Sequence, residues 1–299
     1  MKIAYLIAAH NTPRHLPRLI GALASASAAF FVHVDRKAPL VDLRGVQGAD
    51  VHLATHRVAV RWGDFSQVEA TMGLLRQALA HAAFDRLVLL SGSDYPVRPP
   101  AEIEAFFARH PRHQFMSLVQ MPNDTARKPL SLVTQRAPRT RAGAVLRRGL
   151  ARLGLHPPQR DHTQVFGTLA PYGGSTWWAL SGDAAAHVWR FADEHPRLVE
   201  YFKTLACPDE SFFHTIIGNS PYAAQVSRSV TWADWSGGDV RPGAITEAHV
   251  RRFTSGEDFH PPNVYGAGPV LFARKFPDDS AALIEPLHRH WAARAALAG

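Results

Sequence analysis

Short runs of apolar residues alternate with amphipathic segments along the first 120 residues of the chain. Three runs have the length and continuity of buried strands: residues 2–8, 30–34 and 86–91. Two segments between them have the apolar spacing of helices: residues 12–26 and 65–82. The first is expected to begin with Thr12 as its cap and Pro13 in its first turn. This order predicts a parallel α/β sheet with sites at the carboxyl ends of its strands.

The same alternation continues with less regularity to the end of the chain. Further strands are predicted at residues 114–119, 175–181, 229–234 and 270–276. Further helices are predicted at residues 101–110, 182–194, 197–205, 208–217 and 280–298. Residues 120–172 contain scattered Pro and Gly and one clear helical pattern. The chain is therefore interpreted as one domain, residues 1–299, with an irregular insertion at about 120–172.

Composition narrows the class of protein. The chain has 299 residues, of which 46% are hydrophobic and one is cysteine, Cys207. No apolar run is long enough to cross a membrane, and the apolar stretch at the amino terminus is too short for a signal peptide. A single cysteine excludes an internal disulfide framework and suits a reducing compartment. We therefore expect a cytoplasmic protein.

The net charge of +8 is concentrated in one segment. Residues 121–160 contain nine cations and one anion, so the rest of the chain is balanced. No helix-turn-helix, zinc-finger or RNA-recognition pattern accompanies this charge, which disfavours nucleic acid as a partner. Within the block, residues 141–155 resemble a basic amphipathic helix, with an apolar stripe (Leu146, Leu150, Leu153) beside Arg141, Arg148 and Arg152. Such a helix suits an anionic membrane surface or an acidic glycan, or packs on its own domain.

Two carboxylates directly follow predicted strands. Asp35 ends the second strand, and Asp94 lies just after the strand at 86–91. A carboxylate in this position can accept from a sugar hydroxyl or a base, or it can cap a turn. Asp94 could also bind a metal, but metal clamps of this kind use at least two carboxylates and its neighbours are Ser93 and Tyr95.

Glu210 and a group of cations near the carboxyl terminus are the other candidates for chemistry. Glu210 lies in the first turn of the helix predicted at 208–217, where an acid is either a dipole partner or a general base. The candidate cations are Arg251, Arg252, Arg274 and Lys275. Converging cations can neutralise a diphosphate without a metal, although exposed cations are also common on solvated faces. Strand alternation predicts that Arg274 and Lys275 point to opposite faces.

Four of the seven tryptophans lie beside glycines, in GGSTWW and WADWSGG. These four are Trp177, Trp178, Trp232 and Trp235. Indole rings stack on the apolar faces of sugars, but they also pack in protein cores. The sequence contains no HExxH motif, and neither a Walker loop nor a GxGxxG motif follows the first strand, which disfavours those metal and nucleotide sites.

Several of these segments together resemble one enzyme family. The matching strings are IAYLIAAHNTPRHLPRLI, FFVHVDRKA, RWGDFSQVEATMGLL, VLLSGSDYPVR, GGSTWWALS, CPDESFFHTIIGNSP, DWSGG and LFARKF. In this order they resemble the core-2/I-branching glycosyltransferases, a family that includes the protein O-xylosyltransferases, and the chain looks like a compact, bacterial-type member. The resemblance implies an α/β fold of GT-A type, a UDP-sugar donor, inversion at the anomeric carbon and no divalent metal or other cofactor.

The resemblance also implies roles for individual residues. Glu210 would be the catalytic base, and Asp94 falls where metal-dependent relatives of the fold carry a DxD motif. The implied donor contacts are Ala8, His10, Asp35, Asp94, Arg251 and Lys275, with Arg252 or Arg241 as alternatives to Arg251. The implied acceptor contacts are Trp177, Trp232, Asp234 and Trp235.

Donor and acceptor remain open within this resemblance. We expect transfer of N-acetylglucosamine to a hydroxyl of a glycan, glycolipid or other acceptor. One alternative is transfer of xylose from UDP-xylose to a peptide hydroxyl. A second alternative is a carbohydrate-binding protein that keeps the fold without catalysis. Peripheral contact of residues 141–155 with the inner face of the membrane is a further expectation.

Overall fold

The apolar runs of the sequence form the centre of a seven-stranded sheet. The computed structural model describes residues 1–138, 140–155, 158–238, 241–255, 259 and 261–298; for residues 141, 144, 146–148, 151, 297 and 298 it describes the backbone alone. The strands are β1 (Ile3–Ala9), β2 (Ala28–Val34), β3 (Asp50–Leu53), β4 (Arg86–Ser91), β5 (Asp94–Pro96), β6 (Gln114–Gln120), β7 (Tyr172–Ser181), β8 (Val226–Ser227), β9 (Thr231–Ala233) and β10 (Phe272–Arg274). The helices are α1 (His15–Leu23), α2 (Ser66–His81), α3 (Pro100–Arg109), α4 (Ser131–Thr134), α5 (Arg141–Arg152), α6 (Thr163–Phe166), α7 (Gly182–Glu194), α8 (Pro196–Phe202), α9 (Phe212–Gly218), α10 (Glu247–Phe253) and α11 (Ala281–Ala298). Two 3₁₀ turns cover Pro208–Glu210 and Ala223–Gln225.

The large sheet has the order β3-β2-β1-β4-β7-β6-β8. Its first four strands are parallel, β7 runs antiparallel to both β4 and β6, and β8 is parallel to β6. The predicted α/β class with a mainly parallel sheet flanked by helices is confirmed. The antiparallel β7 was not predicted, because a buried apolar strand carries no sign of its direction.

Alternate residues of the central strands enter two apolar layers. On β1, Tyr5 and Ile7 belong to a layer built with helices α1, α3, α10 and α11. Ala4 and Leu6 belong to the opposite layer, with helices α2, α7 and α9. Burial on both faces explains why the strands read as continuous apolar runs.

A second, three-stranded sheet has the order β5-β10-β9. Strand β10 is antiparallel to β5 and parallel to β9, and this register places Arg274 opposite Asp94. The sheet therefore carries a segment from the end of the chain to the carboxyl end of β4. Its pairing joins residues almost 180 positions apart, which sequence periodicity does not reveal.

Helix α1 starts later than predicted, at His15, and its start is not capped by Thr12. The Asp278 carboxylate accepts from the backbone nitrogens of Arg14 (2.7 Å) and His15 (3.0 Å). A carboxylate is well suited to this place, since it satisfies free N–H groups and faces the positive end of the helix.

The predicted helix at 208–217 is divided. Residues Pro208–Glu210 form a 3₁₀ turn, Ser211 leaves helical geometry, and α9 begins at Phe212. Glu210 therefore precedes the helix and does not lie in its first turn. The expected burial of Phe213, Ile216 and Ile217 is confirmed.

Among its described residues, the insertion at 120–172 contains three helices, two of which are single turns. The expected helix is present as α5, with Leu150 and Leu153 exposed, whereas the side chains of Leu146, Arg147 and Arg148 lie outside the described residues. Among the helices that the structure describes, none combines the length and apolar character required to cross a membrane.

Candidate active site

The carboxyl ends of the parallel strands bring three distant segments together. Ala8 on β1 is half-buried and lies in register between His33 of β2 and Ser91 of β4. His10 follows directly and is exposed. Because parallel strands end at one edge of the sheet, the loops after β1, β2 and β4 meet there, as the sequence predicts.

Asp35 is buried at the end of β2 and has a defined set of partners. Its Oδ1 accepts from the backbone nitrogen of Lys37 (2.9 Å), and its Oδ2 lies 3.0 Å from the Lys37 ammonium. Burial alone would raise the pKa of the Asp35 carboxyl, but these hydrogen bonds outweigh it and lower the pKa. Asp35 is therefore ionised at neutral pH and can accept from a ligand donor.

His10 lies within electrostatic reach of both Asp35 and Lys275. Partial burial and the Lys275 ammonium lower the pKa of the His10 imidazole, while Asp35 opposes the shift. Three residues selected from separate motifs thus share one location. His10 is neutral at pH 7 and can donate or accept a hydrogen bond there.

Asp94 is completely buried and holds a cation. Its carboxylate accepts from the backbone nitrogen of Ser91 (3.0 Å) and from the Ser91 hydroxyl, and Oδ1 lies 3.1 Å from Nε of Arg274. Burial raises the pKa of Asp94, although Arg274 opposes the shift. The carboxylate therefore faces Arg274 and Ser91, and its contribution to a donor site would act through Arg274.

Arg274 is a site residue that sequence reasoning passed over in favour of Lys275. Its guanidinium lies 4.0 Å from the ring centre of Trp177, in addition to its contact with Asp94. A planar cation between a carboxylate and an indole face is held in one orientation. Lys275 follows β10 rather than belonging to it, so strand alternation does not apply to that pair, and both charges act on His10.

The three arginines proposed as partners of Lys275 occupy different places. Arg251 is 72% exposed and lies 3.6 Å from Glu247 on its own helix, while Arg252 lies over the ring of Phe259. Arg241 lies close enough to Lys275 to contribute, after burial and Arg274, to the lowered pKa of its amine. Among the described residues, the charge that acts on Lys275 therefore favours Arg241 over Arg251 as the second cation beside it.

Glu210 faces a lysine from the basic segment. The Lys128 ammonium donates a short hydrogen bond to Oε2 of Glu210, and Lys128 is buried whereas the Glu210 side chain is 39% exposed. The Glu210 charge also acts on the phenol of Tyr265. Burial first, and then this charge, raise the pKa of Tyr265 to about 12. The sequence does not indicate that Lys128 pairs with Glu210, because Lys128 is one of nine cations in residues 121–160.

Asp209 gives the same turn a second carboxylate. Its Oδ2 accepts from the Thr176 hydroxyl (2.8 Å) and from Nε2 of Gln67 (3.2 Å). Burial and the neighbouring Glu210 charge raise the pKa of Asp209 to about 6. Asp209 anchors the turn to β7 and α2, which leaves Glu210 as the accessible carboxylate.

Strand β7 separates and positions these two groups. Thr176 contacts Asp209, and the next residue, Trp177, contacts Arg274. The preceding glycines permit close approach: a Cβ on Gly173 would lie 2.5 Å from Met121 and 3.3 Å from the Glu210 carbonyl, and one on Gly174 would overlap the Ser117 carbonyl. The GGSTWW motif therefore brings the Glu210 turn and the cation group to the same strand.

The predicted acceptor residues fall into two kinds. The Trp232 ring packs against His249, Phe253 and Phe259 at 5.3–5.7 Å, which is core packing. Asp234 accepts from the backbone nitrogen of Ser236 and is partly buried. Trp235, in contrast, is 58% exposed and free to stack on a ligand.

Comparison with known proteins identifies the family of the chain. The family model for "Core-2/I-Branching enzyme" matches residues 3–261. The chain belongs to the core-2/I-branching enzyme family. Its α/β architecture is consistent with the GT-A type expected from the sequence.

Curated relatives include xylosyltransferase 1 of Canis lupus familiaris, 25% identical over 296 residues, and xylosyltransferase 1 of Homo sapiens, 24% identical over 296 residues. Each of these alignments covers 92% of this chain and 29% of the relative. Xylosyltransferase 2 of Homo sapiens is 26% identical over 233 residues, which cover 74% of this chain and 25% of the relative. This family member thus spans less than a third of the length of these relatives.

Proposed function

We propose that this chain is a glycosyltransferase. It would move a sugar from a UDP-sugar to an acceptor hydroxyl in one inverting displacement, with Glu210 as the general base. The observation that carries the proposal is an accessible Glu210 carboxylate beside the same strand that borders a group of cations. A base must reach the acceptor hydroxyl, and the leaving diphosphate needs positive charge nearby. These are the two requirements of a displacement at an anomeric carbon.

In the proposed reaction, the acceptor oxygen forms a bond to the anomeric carbon as its proton passes to Glu210. The bond between that carbon and the diphosphate breaks, and its electron pair leaves with UDP. Lys275, Arg274 and Arg241 stabilise the growing negative charge. His10, Ala8 and Asp35 hold the uridine at the strand ends.

Lys128 has a defined part in this proposal. Its ammonium donates a hydrogen bond to Glu210 and so orients this side chain before the acceptor arrives. Because Lys128 is buried and Glu210 is partly exposed, the acceptor hydroxyl approaches Glu210 from the open side. Trp235 and Asp234 border that acceptor, with Trp177 and Trp232 supporting the surface behind it.

We further propose that the cations serve in place of a divalent metal. The support is the state of Asp94, whose carboxylate is completely buried and already holds Arg274 and Ser91. A metal between this carboxylate and a diphosphate would have to displace that ion pair. Fixed cations supply the same charge without coordination.

Because the relatives are named xylosyltransferases, we propose UDP-xylose as the first donor to test, ahead of the UDP-N-acetylglucosamine that the sequence resemblance favours. A screen of UDP release with both donors, together with UDP-glucose and UDP-galactose, would identify the donor. Peptides with a serine hydroxyl and galactosides are the corresponding first acceptors.

Substitution of the base tests the proposal. We expect Glu210→Gln to lower kcat by at least ~10²-fold, because a positioned general base contributes ~10²–10⁴-fold. UDP affinity by calorimetry should stay unchanged. The matched control is Glu200→Gln, an exposed glutamate on α8 that pairs with Lys203. Retention of more than about a tenth of the wild-type rate by a folded Glu210→Gln protein would show that another group is the base.

A further inference from the structure

A cluster of metal-ligating side chains lies at the outermost strand of the large sheet. It is at the amino ends of the strands, whereas the candidate active site is at their carboxyl ends. Asp50 and His52 are separated by one residue on β3, and His81 is the last residue of α2. We propose that Asp50, His52 and His81, the edge cluster, bind a divalent transition metal ion, Zn²⁺ in the first instance. The proposal is independent of the proposed function.

The position of the edge cluster follows from the topology. Strand β3 is the outermost strand of the large sheet and is parallel to β2, so Asp50 lies at the amino ends of the strands. The donor site lies at their carboxyl ends. Helix α2 runs beside β3, where Nε2 of Gln77 donates to the Leu53 carbonyl (3.1 Å). The cluster therefore joins two elements that are already adjacent.

The three potential ligand atoms converge. Nε2 of His52 lies 2.8 Å from Oδ1 of Asp50, and Nε2 of His81 lies 3.6 Å from Oδ2 of Asp50. One ligand atom from each residue lies within 4.8 Å of the other two. Bonds of 2.0–2.2 Å in a tetrahedral Zn²⁺ site separate ligand atoms by about 3.4 Å. Small side-chain rotations would close this arrangement on a metal.

The two imidazoles are held in place by packing. The Phe31 ring stacks on His52 with centres 5.1 Å apart and meets the edge of His81 at 5.6 Å, and the two imidazole centres lie 4.2 Å apart. Ordered rings lose little freedom on binding a metal.

His52 also has an unsatisfied nitrogen. Its Nε2 is buried and has no hydrogen-bond partner among the described residues, despite its short distance to Asp50. A buried polar atom without a partner is unusual, and a metal would satisfy it.

The ligand chemistry selects the class of ion. Two imidazole nitrogens and one carboxylate oxygen suit Zn²⁺ and its neighbours in the transition series better than Mg²⁺ or Ca²⁺, which prefer oxygen ligands alone. Asp50 and His81 are partly exposed, so a water molecule can take a fourth position. A metal bound here would tie the short edge strand to α2 and stabilise the folded chain by mass action.

Titration of the whole, EDTA-treated and dialysed chain with ZnCl₂ tests the proposal. We expect one Zn²⁺ per chain by calorimetry and a rise in Tm of about 3 °C or more at 100-fold excess over Kd. Co²⁺ should give the visible absorption of a tetrahedral site. Asp50→Asn and His81→Gln should each weaken Zn²⁺ binding by at least about tenfold and abolish that absorption. Both side chains are partly exposed, so the variants should fold.

The matched control is His113→Gln. His113 is an exposed member of another close histidine pair, with its ring 5.1 Å from that of His110, and its loss should leave Zn²⁺ binding unchanged. The absence of stoichiometric binding to the wild-type chain would overturn the proposal. So would binding that survives both Asp50→Asn and His81→Gln. UDP release is a separate readout, which the edge-cluster variants should not alter.

Discussion

At the scale of single residues, the candidate base depends on a lysine that lies 82 positions away in sequence. Lys128 is one of nine cations in the basic segment, and only the fold selects it for Glu210. Arg274 is similarly selected by Asp94 and Trp177. Residue type indicates which chemistry is available, whereas partners decide which side chain performs it.

The cation beside Lys275 can be identified by substitution. We expect Arg241→Met to raise the Kd for UDP about tenfold, roughly 1.4 kcal/mol, because it removes a charge that acts at Lys275. Arg251→Met is the matched control and should change the Kd less than about twofold, since exposed ion pairs contribute little. Calorimetric titration with UDP measures both. A larger loss in Arg251→Met would restore the assignment made from the sequence resemblance.

Asp209 should make stability depend on pH. Its pKa is raised from 3.8 to about 6 in the folded chain, so the native state holds this proton more tightly than the unfolded state. The free energy of unfolding should therefore fall as pH rises from about 4 to about 6, and the loss should persist at neutral pH. Asp209→Asn keeps the hydrogen-bonding shape without the charge. As pH rises from about 4 to about 6, the free energy of unfolding of Asp209→Asn should increase relative to that of wild type, by at most roughly 3 kcal/mol.

Chemical denaturation at about pH 4.5, 6 and 7.5 would measure this difference. Asp193→Asn, an exposed carboxylate on α7, is the control and should follow the wild-type curve. A constant difference between Asp209→Asn and wild type at all three values would show that Asp209 does not titrate as inferred.

At the scale of elements, α5 carries four of the nine cations of residues 121–160: Arg141, Arg147, Arg148 and Arg152. The helix and the residues after it expose Val145, Leu150, Leu153 and Leu155 beside a basic sequence. Exposed apolar side chains together with cations are typical of helices that lie on an anionic membrane. We propose peripheral binding of this segment to the cytoplasmic face of a membrane.

Neutralising Arg147, Arg148 and Arg152 to glutamine should weaken binding to phosphatidylglycerol vesicles by about 10²-fold, since each cation near such a surface contributes about 1 kcal/mol. Vesicle sedimentation measures the effect, and UDP affinity should not change. The control is a triple variant of exposed arginines elsewhere, Arg44, Arg197 and Arg289. An equal loss of UDP affinity would place the α5 arginines in the donor site.

At the scale of the whole molecule, sugar transfer and folding stability are expected to differ in their response to metal. The proposed cation group makes sugar transfer independent of divalent metal, and the proposed edge cluster makes folding stability responsive to Zn²⁺. The wild-type chain should therefore transfer sugar at the same rate with and without excess EDTA at 25 °C. A strict requirement for Mn²⁺ in UDP release would contradict the cation group, whatever the outcome at the edge cluster.

The local part of the fold is predictable from the sequence. The central strands β1, β2 and β4 and helices α2, α3 and α7 lie within a residue or two of their predicted bounds, because strong periodicity and burial on both faces leave a clear pattern. Departures occur where distant groups intervene. Asp278 accepts from the backbone at the start of α1, and Thr176 and Gln67 donate to Asp209 in the turn that carries Glu210.

The sequence by itself determined the α/β class, the strand ends at which His10 and Asp35 lie, and the family to which the chain belongs. These depend on local patterns and on motifs kept in order. The tertiary structure decided which cation faces Glu210, that Asp94 holds Arg274, and that Asp50, His52 and His81 converge. Each of these is a contact between segments far apart in sequence, and charge or ligand type alone does not specify which of many equivalent residues will meet.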